Sequence, residues 1–239
     1  MMIGHFGLRL RDNTALGLRL SRDTYATINK RSSLVIPRES QSPTTWERMS
    51  RFYADDAHTI YTDAWCEEHR SAALRNFDRN MAFFDALDEG EFNVAVDDLV
   101  ATERGLVEVH DLNDFGSASG FYMMVLDGYK QAYFGVTGSE LAKRMRQHWT
   151  RNFPFDRLLW GNEFTSIIAV DSFRALDTTR LFATRSADPF AIEERVVEKF
   201  PSIFRLNRLT GGRVPNNVSL RQVVSMMKIR DLSNAIAEE

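Results

Sequence analysis

The stretch Gly120-Phe-Tyr-Met-Met-Val-Leu126 runs seven residues without a charged or amide side chain, which suits a buried strand better than any exposed element. Asp127-Gly128 follows as a hairpin turn signal, and Tyr129 to Val136 reads as the return strand. Ser139 then caps a helix through about Trp149, with Leu141, Met145 and His148 along one face. Strand, tight turn, strand and helix in this order fix a small α+β unit.

Around that unit the rhythm differs. Residues 1–43 are basic, are punctuated by Asn13, Gly17 and the run Pro37 to Pro43, and suggest no particular fold. Residues 44–115 read as an acidic, mainly helical accessory region. Thr44-Thr45-Trp46-Glu47 resembles a capping box, and Trp46, Met49, Phe52 and Tyr53 recur at helical spacing. Thr62 to Leu87 repeats the habit, and Phe92 to Ala101 is a shorter helix. Leu106 to His110 alternates like a strand, so the third region, 116–239, begins just beyond a change of pattern. Within it Thr165–Val170 reads as a third strand, Thr178–Ala183 and Pro189–Phe200 as helical, and Ser219–Ala237 as a C-terminal amphipathic helix.

The net charge of −3 conceals a division along the chain: +4 over residues 1–50, −11 over 51–116 and +4 over 117–239. A nucleic-acid surface belongs to the basic ends, whereas the acidic part suits a protein partner or self-association. No stretch approaches the roughly 18–20 apolar residues of a membrane span, so no membrane partner and a cytoplasmic location are expected. The single cysteine, Cys66, excludes an internal disulfide and reads as a small helix residue.

Gly120-Phe121-Tyr122 and Tyr133-Phe134-Gly135 resemble the two signature triplets of the GIY-YIG nuclease family, with Phe in place of Ile in each. Downstream, Arg144 followed by His148 resembles the family helix, Glu193 or Glu194 the family's glutamate helix, and Asn207 its closing asparagine. The resemblance spans residues 120–207. It implies a three-stranded, mainly antiparallel sheet flanked by helices, preceded here by the accessory region. It also implies a divalent-metal-dependent endonuclease acting on DNA, with Mg²⁺ or Mn²⁺ as cofactor.

The residue types suit that chemistry. Charge building on a phosphoryl group calls for a planar, permanently charged fork, and Arg144 is the candidate; a solvated helix arginine is the plainer reading. Arg144 and His148, four apart, share a helix face, where His148 could ligate, relay a proton or touch a phosphate. A hard cation needs a carboxylate, and Glu193 lies on the stripe of Phe190, Val196, Val197 and Phe200, which Glu194 touches less centrally. The resemblance gives one of the phenols Tyr122 and Tyr133 the task of activating or orienting water; core packing is the alternative for each. Asn207 either holds the active-site loop or makes a turn before Gly211-Gly212. Lys143, Arg146, Arg151 and Arg157, with Trp149 and Phe153 between them, look like a phosphate-tracking surface with room for base stacking. A catalytically inactive relative that binds nucleic acid or protein is the rival reading.

Overall fold

The structure is a computed structural model and describes residues 2–11, 18–34, 36–209 and 227–234. It is α+β. The helices among these residues are α1 (Arg22–Tyr25), α2 (Pro43–Ser50), α3 (Asp63–Asp85), α4 (Glu89–Thr102), α5 (Leu141–Thr150) and α6 (Pro189–Lys199). The strands are β1 (Met2–His5), β2 (Leu8–Arg11), β3 (Val107–Glu108), β4 (Gly120–Leu126), β5 (Gln131–Thr137) and β6 (Arg180–Arg185). β1 and β2 form an antiparallel hairpin; the other four make an antiparallel sheet in the order β3-β6-β4-β5.

The apolar run of β4 is explained by its place in the middle of that sheet. Tyr122, Met124 and Leu126 face one layer, with α3, α5 and the segment 167–173. Phe121, Met123 and Val125 face the other, with α4 and α6. A strand covered on both faces has no side for a polar residue.

The α3 helix begins at Thr62, whose side chain accepts from the amide of Trp65, and α2 at Ser42, which accepts from Thr45. The α2 helix stops at Ser50, so Phe52 and Tyr53 lie beyond it. Tyr53 joins a column in which Trp46, His58, Tyr53, Tyr61, Trp65 and His69 stack ring on ring, ending edge-on at Phe155. The long α3 helix also turns His69, Asn76 and Asn80 toward residues 155–166. The His69 ring bonds the carbonyl of Phe155 at 2.8 Å, and both asparagine amides donate to that of Ser166. The acidic helix thus anchors the chain that leads to Asp171.

Several expectations are corrected. The sheet has four strands instead of three, because β3 joins β6 through Val107↔Ala183 and Glu108↔Phe182. The third partner strand is Arg180–Arg185, where a helical segment was expected, and it pairs with β4 from Gly120↔Arg185 to Val125↔Arg180. A short apolar run such as Leu181-Phe182-Ala183 suits either state locally, and pairing on both sides decides for the strand. Thr165–Val170 is no strand: the amides of Arg230 and Leu232 bond the carbonyls of Thr165 and Phe164, and the Asn76 and Asn80 side chains take Ser166. The α5 helix is capped at Glu140, one residue beyond Ser139. Most of the C-terminal helix expected over 219–237 lies outside the described residues; 227–234 is irregular. No described helix is long and apolar enough to cross a membrane.

The free edge of β5 is closed by residues 205–207. Leu206 donates its amide to Ala132 at 2.9 Å, and the Asn207 side chain accepts from the amide of Phe134 at 3.0 Å while donating to its carbonyl at 2.8 Å. A single buried amide thus substitutes for a neighbouring strand. Replacing it orphans two buried main-chain groups, so Asn207→Ala should lower stability by roughly 2–4 kcal/mol in chemical denaturation. A change under about 0.5 kcal/mol, the ordinary range for surface positions, would show that the clamp is not needed.

Candidate active site

The two glycines of the motif triplets are explained by close approaches. A Cβ on Gly135 would stand 2.4 Å from the Tyr122 hydroxyl, and one on Gly120 would stand 2.3 Å from the carbonyl oxygen of Thr184. Gly135 faces Tyr122 in the register of β4 and β5, so the missing side chain leaves the phenol room to lie across the neighbouring strand. Tyr133, two residues before Gly135, presents its ring on the same face, 6.4 Å from that of Tyr122.

On that face the α5 helix brings Arg144 and His148 to the phenols. His148 is buried with its Nε2 2.7 Å from the Tyr122 hydroxyl and its Nδ1 2.5 Å from Asp171 Oδ1. Arg144 Nε donates to the same hydroxyl at 3.1 Å, and its Nη1 to Gln147 at 3.3 Å. Arg151 donates to the other oxygen of Asp171 at 3.1 Å. Burial raises the Asp171 carboxyl, but His148, Arg151 and Arg144 together hold it below its ordinary value, so it is ionised. Burial outweighs Asp171 at His148 and keeps that imidazole neutral, below 6.5. A neutral ring between a carboxylate and a phenol has one arrangement: Nδ1–H donates to Asp171 and Nε2 accepts the Tyr122 proton. The Tyr122 oxygen is then left to accept from Arg144.

Both phenols are neutral at ordinary pH. Burial, reinforced by Tyr133, lifts Tyr122 well above 10, and burial lifts Tyr133 to about 12 although Arg144 opposes it in both cases. Glu193 comes from α6, in the opposite layer. It is buried, Glu194 beside it is exposed, and Phe190 at the head of the expected stripe is 44% exposed. Burial pushes the Glu193 carboxyl up to about 7 against the pull of Arg144, and Glu193 in turn disfavours ionisation of both phenols. Its Oε2 has no hydrogen-bond partner.

Tyr122, Tyr133, Arg144 and His148 are therefore brought together, with Glu193 in electrostatic reach, and Asn207 serves as the clamp on β5. Of the four basic residues expected to track phosphates, Lys143 and Arg146 are exposed on α5 and Arg151 is exposed but paired with Asp171. Arg157 donates to Ser33 Oγ at 2.8 Å, holding the N-terminal segment. Trp149 is no stacking surface: it is fully buried, donates to Thr178 Oγ1 at 3.0 Å and is covered by His5 and Phe6. The residue missed by sequence reasoning is Asp171, the acid that ends the apolar run Ile167-Ile168-Ala169-Val170. That placement was its signal, since a carboxylate at the end of a buried run needs a partner.

Among the described residues no three His, Cys, Asp or Glu side chains converge as a metal-ligand group. A single carboxylate with an unpartnered oxygen still fits Mg²⁺, which commonly keeps several waters and takes one or two carboxylates with phosphate oxygens. Compared with known protein families, curated proteins and solved structures, the chain matches none.

Glu193 makes stability pH-dependent. With its folded value about 7 against an ordinary 4.5, its contribution is fully present below 4.5 and is lost as pH rises through 7. Without added metal, Glu193→Gln should therefore gain on the wild type as pH rises, by on the order of 2 kcal/mol above pH 8. The gain should vanish toward pH 4.5. Thermal melts across that range check it, and a gap that does not vary with pH counts against a buried, proton-holding carboxyl.

Proposed function

We propose that the chain is a divalent-metal-dependent endonuclease of the GIY-YIG type, hydrolysing DNA phosphodiester bonds. The observation that supports this most is that Tyr122 of β4, 22 residues before Arg144 and 26 before His148, forms one hydrogen-bonded unit with them through 3.1 Å and 2.7 Å contacts. Tyr133 lies beside that unit.

In this reading Arg144 carries the catalysis of charge. Its Nε is fixed on Tyr122, which aims the rest of the fork at a phosphate on the helix surface, where charge grows as the leaving oxygen departs. Tyr122, His148 and Asp171 position it. Tyr133, the half-buried phenol, holds the attacking water or a phosphate oxygen by a hydrogen bond and, at a value near 12, is a donor and no base at neutral pH. Glu193 would hold Mg²⁺ or Mn²⁺, which supplies Lewis-acid stabilisation and lowers the pKa of a bound water. Lys143 and Arg146, exposed on the same helix, suit backbone contacts to DNA. A binding protein without catalysis is the second reading, favoured by one observation: a buried Glu193 near 7 is half protonated at neutral pH.

Nicking of supercoiled plasmid with Mg²⁺ or Mn²⁺ separates the two. Arg144→Ala and Glu193→Gln should each cost on the order of a thousandfold in rate with the fold intact, whereas Tyr122→Phe should cost less. Lys143→Gln and Arg146→Gln should weaken binding and flatten its salt dependence by about 0.9 units in log–log slope per lost phosphate contact. Wild-type cutting by Glu193→Gln with loss in Glu194→Gln would move the metal ligand by one residue. Absence of cutting by the wild type would leave the binding reading.

A further inference from the structure

Beside the Arg144 face lies a hollow of about 360 Å³. Tyr133 and Asp171 stand in its wall, and Arg151 and Asp171 also rim the shallow depression that holds Arg144 and Gln147, so the two spaces adjoin. Phe153 and Trp160, both half-buried, supply flat apolar surface, and Arg151, Arg157 and Arg208 supply charge.

Arg151 there is paired with Asp171, whereas Arg157 donates to the hydroxyl and the carbonyl of Ser33. Arg208 is half-buried, packs over the Phe153 ring at 5.4 Å, and directs its N–H groups to the main-chain carbonyls of Ile167, Arg157 and Leu158. Among the described residues no carboxylate stands within ion-pair distance of it. The one acid in the wall, Asp171, has its oxygens committed to His148 and Arg151. Aromatic walls with surplus positive charge fit a flat heterocycle carrying a phosphate. The volume is near the lower end of small-ligand sites, enough for one nucleoside unit and too small for a base pair.

We propose that this hollow receives one unpaired nucleotide of the substrate strand, next to the bond to be cut, with its base against Phe153 and Trp160 and its phosphate at Arg151 and Arg157. The proposal rests on the nuclease reading and goes further, since it makes the substrate a DNA with an extrahelical or unpaired residue. Removing a base from the stack is cheapest where it is already unpaired, which gives preference for such DNA.

Two duplexes of one sequence test it, one fully paired and one carrying a single extra 2-aminopurine. The full chain should bind the bulged duplex on the order of tenfold more tightly, and quench its fluorescence in chelator, where no cutting occurs. With Mg²⁺ it should cut that duplex in preference. Trp160→Ala should abolish the quenching and bring the two duplexes level, and Trp160→Phe should restore both, which separates loss of stacking from loss of fold. Equal handling of the two duplexes without quenching overturns the proposal, as does an equal loss on both in Trp160→Ala. Saturable binding of deoxyadenosine monophosphate with no response to the bulge makes the hollow a free-nucleotide site and overturns it too. Quenching in chelator with no cutting of either duplex sinks the nuclease reading and supports the hollow; cutting of both at one rate, unquenched, does the reverse.

Discussion

The neutral imidazole of His148, held between an ionised carboxylate and an un-ionised phenol, sets the direction of the hydrogen bonds that join Asp171, Tyr122 and Arg144. Because Asp171 accepts at Nδ1, the Nε2 lone pair points to Tyr122. Because Tyr122 gives its proton to His148, its oxygen accepts from Arg144. Burial makes such a chain costly to leave unpaired, since each orphaned member costs about 1–3 kcal/mol. It also makes the geometry single-valued, because a satisfied buried network has few alternative arrangements.

Much of the remaining structure holds the ends of that chain. Tyr122 can occupy its place because β5 offers Gly135 opposite. Asp171 sits on a segment with no sheet partner, so other groups fix it: Asn76 and Asn80 of α3 at Ser166, and Arg208 at Ile167. His148 is carried by α5, whose next residue, Trp149, is pinned by Thr178 and roofed by His5 and Phe6 of the N-terminal hairpin. The acidic α3 helix and the basic N-terminus share one buried cluster with the central sheet, running from Leu8 through Phe77 and Tyr122 to Leu206. Whatever else these regions bind, they are supports of the site.

The sequence was legible where local chemistry and tertiary demand agree. β4, β5, α5 and α6 appear close to where periodicity puts them, and the pairing of Arg144 with His148 follows from their four-residue step. The choice of Glu193 over Glu194 as the inward carboxyl also follows from spacing, through Val196 and Val197. Legibility failed where pairing at a distance decides. Thr165–Val170 and Leu181–Ala183 are both short apolar runs, and pairing with β4 on one side and β3 on the other makes the second a strand. Trp149 was misread because an aromatic between arginines looks the same in sequence whether it faces solvent or core. Asp171 was missed because its role exists only once α5 lies beside the turn at 170–172.

Nitrogen-15 chemical shifts of the His148 ring, followed by NMR in the metal-free protein from pH 5 to 9, test the hydrogen-bonded chain most directly. The account predicts a ring that titrates below 6.5 and, once neutral, carries its proton on Nδ1, with the Nε2 shift changing in Tyr122→Phe. A ring that titrates near 6.5, or one that carries its proton on Nε2, would contradict it.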